Sequence, residues 1–233
     1  MIPLTDGLSA RNVPFVNIAL ILANFAVWLF YELPHLNSSI FHGSFYACTV
    51  DGSCKGPEPW GISWVSAMFM HASWSHILGN MIFLFVFGKN VEDAFGHLRY
   101  LVFYFAGGFI AMMTQTLMTL AFGTALDARV PNLGASGAIA AVLGAYFVLY
   151  PTSTVRGLLV IFPIRMSAWF FLGFWFLYQL FEANFGVFSA GANGGGVAFF
   201  AHVGGFIFGV VVTLALANAG RISPQETQSL APA

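Results

Sequence analysis

The sequence predicts an all-α membrane protein, a bundle of six transmembrane helices joined by loops. Of its 233 residues, 58% are hydrophobic and only 7% are charged. A water-soluble domain cannot bury so much apolar surface. Because no stretch outside the apolar segments is long enough to form its own core, we expect a single membrane domain.

Six apolar segments are interpreted as the spans of this bundle, residues 15–31, 76–87, 98–122, 136–150, 167–181 and 198–218. The first is about as long as a spanning helix requires. It is followed by Glu32, Pro34 and His35 rather than by the small residues of a signal-peptide cleavage site. We therefore expect it to be a retained anchor. Residues 15–218 make up the predicted domain.

Basic residues indicate the orientation of the bundle. With a cytoplasmic N-terminus, most of the eight basic residues lie on the inner side, as the positive-inside rule requires. The inner ones are Arg11, Lys89, Arg99, Arg156, Arg165 and Arg221, and the outer ones are Lys55 and Arg129. The N-terminal segment, residues 1–14, and the polar tail, residues 219–233, are thus predicted to be cytoplasmic.

The longest connection is the predicted first outer loop, residues 32–75, which carries both cysteines of the chain. Cys48 and Cys54 would meet an oxidising compartment that permits a disulfide. Two free thiols in a flexible loop agree equally well with the sequence. The predicted chemistry does not depend on this choice.

Acidic residues exclude several classes of membrane protein. All nine lie in loops or at span ends, whereas an intramembrane aspartyl protease needs two facing aspartates and a proton-coupled transporter usually needs a buried acid. The zinc-protease pattern of two histidines around a glutamate is missing near His71 and His76. We expect no metal and no cofactor. The net charge of -1 also argues against nucleic-acid partners.

The polar residues left within the spans are the candidate site, namely His76, Asn80, Ser136 and His202. In the predicted topology they lie at the outer side and at similar depth. The fourth span, 136–150, would cover about 22 Å of a hydrocarbon core about 30 Å thick. If Pro151 closes its inner end, Ser136 lies below the outer surface. Non-helical backbone before it then implies a water-lined cavity.

Small residues at four-residue intervals predict close contact between the fourth and sixth spans. The two stripes are Gly137, Ala141 and Ala145, and Ala201, Gly205 and Gly209. Ser136 and His202 adjoin the heads of these stripes, which favours a hydrogen bond between nucleophile and general base. With no acid nearby, this pair would act as a dyad. The loop residues Asp127 and Glu182 stay open as candidates for a third member.

Acyl transfer also requires donors for the developing oxyanion. His76 and Asn80 share one helix face at i, i+4 spacing, and the Ser136 amide would add a third donor. His71 is interpreted as a structural hydrogen-bonding residue at the loop boundary. Gln115 and Gln179 are interpreted as polar contacts between helices rather than as catalysts.

Three segments resemble the signature motifs of the rhomboid family of intramembrane serine proteases. They are His76-Ile-Leu-Gly-Asn80, Gly134-Ala-Ser136-Gly137 and Ala201-His202-Val-Gly204-Gly-Phe-Ile-Phe-Gly209. The resemblance covers roughly residues 15–218 and extends to Asn90-Val-Glu92-Asp93-Ala-Phe-Gly96. It implies a rhomboid-like six-helix bundle.

The resemblance also implies site roles. Ser136 would be the nucleophile, His202 the base, and His76 with Asn80 the oxyanion donors. Structural support would come from His71, Gly134, Gly137 and Gly205. The implied activity is cleavage of single-pass or other transmembrane proteins in the lipid bilayer, near the outer membrane face and without a cofactor. We expect a multi-pass protein of a bacterial cell membrane with its active site facing outward.

The chain departs from the family pattern in two places. The Trp-Arg pair that many members carry in the first loop aligns with Ile62 and Ser63, and the tyrosine that often stacks on the catalytic histidine is replaced by Ala140. In the family, the fifth span and the loop after it gate substrate entry. The glycines expected to let this loop move as a lid are Gly186, Gly191, Gly194, Gly195 and Gly196.

Two alternatives to a protease come from other functional classes. One is a non-catalytic rhomboid-like protein that binds membrane helices, although such relatives usually lose the serine or the histidine, and both are present here. The other is a small transporter, which the lack of buried charge and of visible inverted repeats disfavours.

Overall fold

The computed structural model describes residues 2–159, 161–188 and 199–224. The described part is a helical bundle with a small antiparallel sheet. Its helices are α1 (Phe15–Val27), α2 (Leu36–Gly43), α3 (Trp60–Ala67), α4 (Trp74–Phe83), α5 (Lys89–Phe95), α6 (His97–Phe122), α7 (Ser136–Leu149), α8 (Ala168–Phe188) and α9 (Phe199–Asn218). Its strands are β1 (Ile2–Thr5), β2 (Thr154–Leu159) and β3 (Phe162–Ser167).

Several of these helices have the properties of membrane spans, as expected of an integral membrane protein. Within the described residues, three helical stretches are long and apolar enough to cross a bilayer, Phe15–Gly43, His97–Phe122 and Phe199–Asn218. Two more, Ser136–Leu149 and Ala168–Phe181, are apolar but shorter. The mostly helical architecture with candidate membrane spans is therefore confirmed, and the count of six spans stays a prediction.

The small sheet departs from the all-α expectation. Its strand order is β1-β2-β3, and both pairs are antiparallel. The strands come from the N-terminal segment and from the connection between α7 and α8, which the sequence suggested were loops. They are short, four to six residues each, and β1 pairs with a strand some 150 positions away. Local patterns of apolar residues do not reveal such a pairing.

Helix α7 lies at the centre of the bundle, against α6 and α9. A β-carbon built on Gly107 of α6 would lie 2.5 Å from the β-carbon of Ala141. On the other side, a β-carbon on Gly209 of α9 would lie 2.0 Å from the Ala141 carbonyl oxygen. The structure thus brings the two small-residue stripes together at backbone contact, as their spacing predicts.

The start of α1 is stabilised by an acid from another helix. Pro14 at its N-cap offers no side-chain acceptor. The Glu92 carboxylate of α5 instead accepts the backbone N–H groups of Val16 at 3.0 Å and Asn17 at 2.7 Å. Glu92 is almost fully buried, and these bonds compensate part of the cost of burying it. The first span is thereby fixed against the end of the second.

The loop between α1 and α4 is ordered and packs on the rest of the chain. Of the two alternatives for its cysteines, the structure has the disulfide, with Cys48 and Cys54 bonded. Phe45 and Asn132 exchange backbone hydrogen bonds of 2.9 and 2.8 Å. This loop therefore contacts the segment that leads into Ser136.

Candidate active site

Ser136 is the first residue of α7, and the segment before it is held from two sides. Asn132 pairs with Phe45, and the Gly134 N–H donates to the Ala67 carbonyl at 2.8 Å. Gly134 has φ +122, a conformation that favours glycine. The turn at Gly134 lets the chain enter α7 with the Ser136 side chain half-buried at the helix N-terminus.

His202 lies in the first turn of α9 and is brought to Ser136 by the contact between the two helices. Its Nε2 atom is 2.7 Å from Ser136 Oγ, which is hydrogen-bond distance. Its ring is buried, with 8% of its surface exposed. The candidate nucleophile and base are therefore in direct contact.

The second ring nitrogen of His202 also has a partner. Its Nδ1 atom is hydrogen-bonded to the side-chain amide of Gln179 on α8. The Trp175 ring lies beside the imidazole with centroids 5.9 Å apart, and the Phe199 ring meets it edge-on at 6.5 Å. Among the described residues, the imidazole is thus held by α7 on one nitrogen and by α8 on the other.

Sequence reasoning missed this arrangement around His202. Gln179 does form a contact between helices, but the side chain that it contacts is the candidate base. Trp175 and Gln179 are four residues apart and so share a helix face, and this spacing is the signal that could have found them. Ala140, at the position of the family's tyrosine, is fully buried and lies against Gly205, whose β-carbon would meet it at 3.3 Å.

Of the two acids left open as a third member, the structure describes the side chain of Asp127 only. The Asp127 carboxylate accepts the Thr124 backbone N–H and hydroxyl, each at 2.7 Å, and the backbone bond lowers the pKa of Asp127. The Glu182 side chain lies outside the described residues. Within the described part, the hydrogen-bond partners of the imidazole are Ser136 and Gln179.

His76 lies near the nucleophile. The Ala72 N–H donates a long hydrogen bond of 3.4 Å to its Nδ1 atom, so a neutral ring carries its proton on Nε2. A β-carbon on Gly134 would lie 2.9 Å from His76 Nε2 and 3.6 Å from Ser136 Oγ. The donor nitrogen and the hydroxyl thus both adjoin Gly134.

Asn80 is one turn further along α4 and is also buried, with 8% exposed. Its side-chain Nδ2 atom has no hydrogen-bond partner among the described residues. A buried amide donor without a partner is costly. Such a group is suited to donate to a bound ligand.

His71 is fully buried behind His76. Its ring meets the His76 ring edge-on with centroids 5.0 Å apart, and its backbone N–H donates to Glu32 Oε1 at 2.6 Å. Burial lowers the pKa of His71 to about 3, so the ring is neutral near pH 7. Glu32 is a second residue that sequence reasoning missed, since it was interpreted only as a loop acid after the first span.

A cavity of about 20 Å³ adjoins Ser136. It is lined by residues of α6, α7 and the preceding segment, among them Gly108, Met112, Leu133, Ser136 and Gly137. Its volume is close to that of about one water molecule. The predicted lid glycines Gly191, Gly194, Gly195 and Gly196 lie outside the described residues, and Gly186 is in α8.

Comparison with known proteins identifies the family. The family model described as "Rhomboid domain" matches residues 58–219, more than half of the chain. The chain is 28% identical over 214 residues to "Rhomboid-related protein 2" of Mus musculus, covering 85% of this chain and 63% of that protein. It is 30% identical over 156 residues to "Rhomboid protein 1, mitochondrial" of Saccharomyces cerevisiae, covering 64% of this chain.

A further relative is "Rhomboid-like protein 11, chloroplastic" of Arabidopsis thaliana, 35% identical over 75 residues, with 32% of this chain and 24% of that protein covered. The chain spans 40% of the yeast protein, so it matches only part of the length of each of these three relatives. The matched region contains Ser136, His202 and the other candidate site residues. The chain belongs to the rhomboid family.

Proposed function

We propose that this protein is an intramembrane serine endopeptidase that hydrolyses peptide bonds in or near transmembrane segments of other membrane proteins. The observation that carries the proposal is the 2.7 Å contact between Ser136 Oγ and His202 Nε2. A serine hydroxyl is a weak nucleophile until a base accepts its proton. The buried imidazole is placed to do so.

In the proposed reaction, Ser136 Oγ attacks the scissile carbonyl carbon while His202 Nε2 takes the hydroxyl proton. The tetrahedral intermediate collapses to an acyl-enzyme when the C–N bond breaks, and the imidazolium returns the proton to the leaving amine. A water molecule then attacks the ester, with His202 again as base. The small cavity at Ser136 would hold such a water.

Stabilisation of the oxyanion is assigned to three donors. His76 contributes Nε2–H, and Asn80 contributes Nδ2, which has no hydrogen-bond partner in the described part of the chain. Ser136 contributes its backbone N–H, which at the first position of α7 has no intrahelical acceptor. His76 is supported by its contact with His71, which Glu32 anchors. The donors act in a site with little water, where each is stronger than at the surface.

The topology forms part of the same proposal. Six spans with cytoplasmic termini would put the N-termini of α7 and α9, and therefore Ser136 and His202, toward the outer side. The proposed substrates are single-pass or other transmembrane proteins of the same membrane, proposed to be a bacterial cell membrane. The positive-inside distribution of basic residues supports this orientation.

Cleavage of a model single-pass substrate by the purified protein in liposomes tests the proposal. We expect the wild type to cleave it and both Ser136→Ala and His202→Ala to be inactive. Ser38→Ala and His35→Ala, which change exposed residues of the first loop, serve as matched controls and should cleave normally. Equal cleavage by all variants would contradict the dyad. Binding of the substrate without cleavage by the wild type would favour a non-catalytic rhomboid-like protein.

A further inference from the structure

We infer that Gln179 is a positioning residue for the proposed dyad and holds His202 in the tautomer whose Nε2 accepts the Ser136 proton. The inference rests on the proposed function, because it concerns the base of that reaction. The Gln179 side chain is 6% exposed, and its amide nitrogen Nε2 is hydrogen-bonded to His202 Nδ1.

This contact bears on which nitrogen of the neutral His202 imidazole carries the ring proton. Such a ring carries one N–H and one bare nitrogen. To accept the Ser136 proton, Nε2 must be bare, so the ring proton must be on Nδ1. A buried Nδ1–H then needs an acceptor, and within the described residues the partner of Nδ1 is the Gln179 amide.

The orientation of this amide determines which tautomer forms. With Oε1 toward Nδ1, the amide accepts the ring proton and leaves Nε2 bare. With Nε2–H of Gln179 toward Nδ1, the imidazole would carry its proton on Nε2, and Ser136 would have no base. The oxygen and nitrogen of a side-chain amide have nearly the same shape. In the structure the amide nitrogen Nε2 faces Nδ1, and a half-turn of the amide about its Cγ–Cδ bond exchanges the nitrogen and the oxygen. The productive orientation is the exchanged one, with Oε1 facing Nδ1, because it alone leaves His202 Nε2 bare.

A glutamine is also suited to the location. A carboxylate here would be a charge within an apolar helix, which is expensive unless it is paired. The amide oxygen supplies the same acceptor without that charge, and it stabilises the imidazolium only through its dipole. Trp175 lies beside the same ring from the same helix face. Helix α8 thereby orients the base.

Three variants of the protein test the inference. Gln179→Leu removes the acceptor, and we expect kcat to fall about 10- to 100-fold with KM little changed, as for other orienting partners. Gln179→Glu keeps an acceptor and should recover most of kcat. Its pH profile should also change, because a carboxylate stabilises the imidazolium and so moves the acid limb of kcat/KM to higher pH. Tyr178→Phe, a change to an exposed neighbour, is the control.

The outcomes separate the two proposals. If Gln179→Leu cleaves like the wild type while Ser136→Ala is inactive, the inference about Gln179 is wrong and the proposed function stands. If Ser136→Ala is also active, the proposed function itself fails. A role in packing alone predicts that Gln179→Glu is no better than Gln179→Leu and that the pH profile does not move.

A second measurement covers the case in which Gln179→Leu does not fold. The ¹⁵N spectrum of wild-type protein labelled at histidine, assigned with His202→Ala, reports which ring nitrogen carries the proton. We expect the His202 proton on Nδ1 above the acid limb. A proton on Nε2 would overturn the inference.

Discussion

A β-carbon built on Gly205 would lie 2.2 Å from the carbonyl oxygen of Gly137. This contact sets the distance between α9 and α7, and it adjoins the pair formed by Ser136 and His202. The obstacle is backbone rather than a flexible side chain, so the helices themselves must move if Gly205 gains a side chain. The separation of the candidate dyad therefore depends on two residues without chemistry of their own.

We expect Gly205→Ala to separate α7 from α9, to destabilise the protein by about 1 to 3 kcal/mol, as overpacked cores do, and to reduce cleavage strongly. Thermal unfolding in detergent and the cleavage rate measure the two effects. Gly61→Ala in α3 is the matched control, because a β-carbon there meets nothing within 4 Å. Wild-type activity in Gly205→Ala would show that the dyad tolerates a shift of α9.

Gly134→Ala should reduce kcat through His76. The new β-carbon would lie 2.9 Å from His76 Nε2, in addition to the strain of φ +122. Gly52→Ala separates these causes, since Gly52 also has a positive φ but its β-carbon would meet nothing within 4 Å. Steady-state kinetics of both variants decide the question. Equal losses of kcat in the two variants would mean that backbone strain alone causes the effect.

Removing a proposed oxyanion donor should affect turnover more than substrate binding. For His76→Ala and for Asn80→Ala we expect kcat to fall about 10²- to 10³-fold, because the donors act mainly on the tetrahedral intermediate. KM should change little. Separate determination of kcat and KM provides the test, with His35→Ala as the histidine control. A rise in KM at unchanged kcat would place these residues in substrate binding instead.

Glu32 anchors the segment that carries His71. Glu32→Leu leaves the buried His71 N–H without its acceptor, and we expect the free energy of unfolding to drop by about 1 to 3 kcal/mol. Glu32→Gln keeps an acceptor oxygen of the same shape and should be less destabilised. Thermal melting of both variants in detergent compares them. Equal stability of wild type and Glu32→Leu would mean that the bond to His71 contributes nothing.

The parts of the site that the sequence predicts are those with local signals. Ser136 and His202 adjoin stripes of small residues, and His76 and Asn80 follow the period of one helix. The predicted fourth span begins at Ser136, where α7 begins. Each of these patterns lies within a single segment of the chain. The order of the segments follows from the order of the motifs in the sequence.

The residues that the sequence did not reveal have partners far away along the chain. Gln179 is hydrogen-bonded to a histidine 23 positions away, and Glu32 accepts from a backbone amide 39 positions away. Glu92 caps a helix that begins 77 positions before it. Such contacts are set by helix packing, which composition and periodicity do not encode. The sheet was missed for the same reason, because β1 pairs with a strand some 150 positions further along the chain.

The most direct test of the proposed dyad is covalent labelling by a fluorophosphonate, which reacts with an activated serine. The intact protein in detergent is incubated with the probe, digested and analysed by mass spectrometry. We predict one adduct on Ser136, strong reduction of labelling in His202→Ala, and none in Ser136→Ala. Labelling of another serine, or equal labelling of Ser136 with and without the His202 imidazole, would contradict activation of Ser136 by His202.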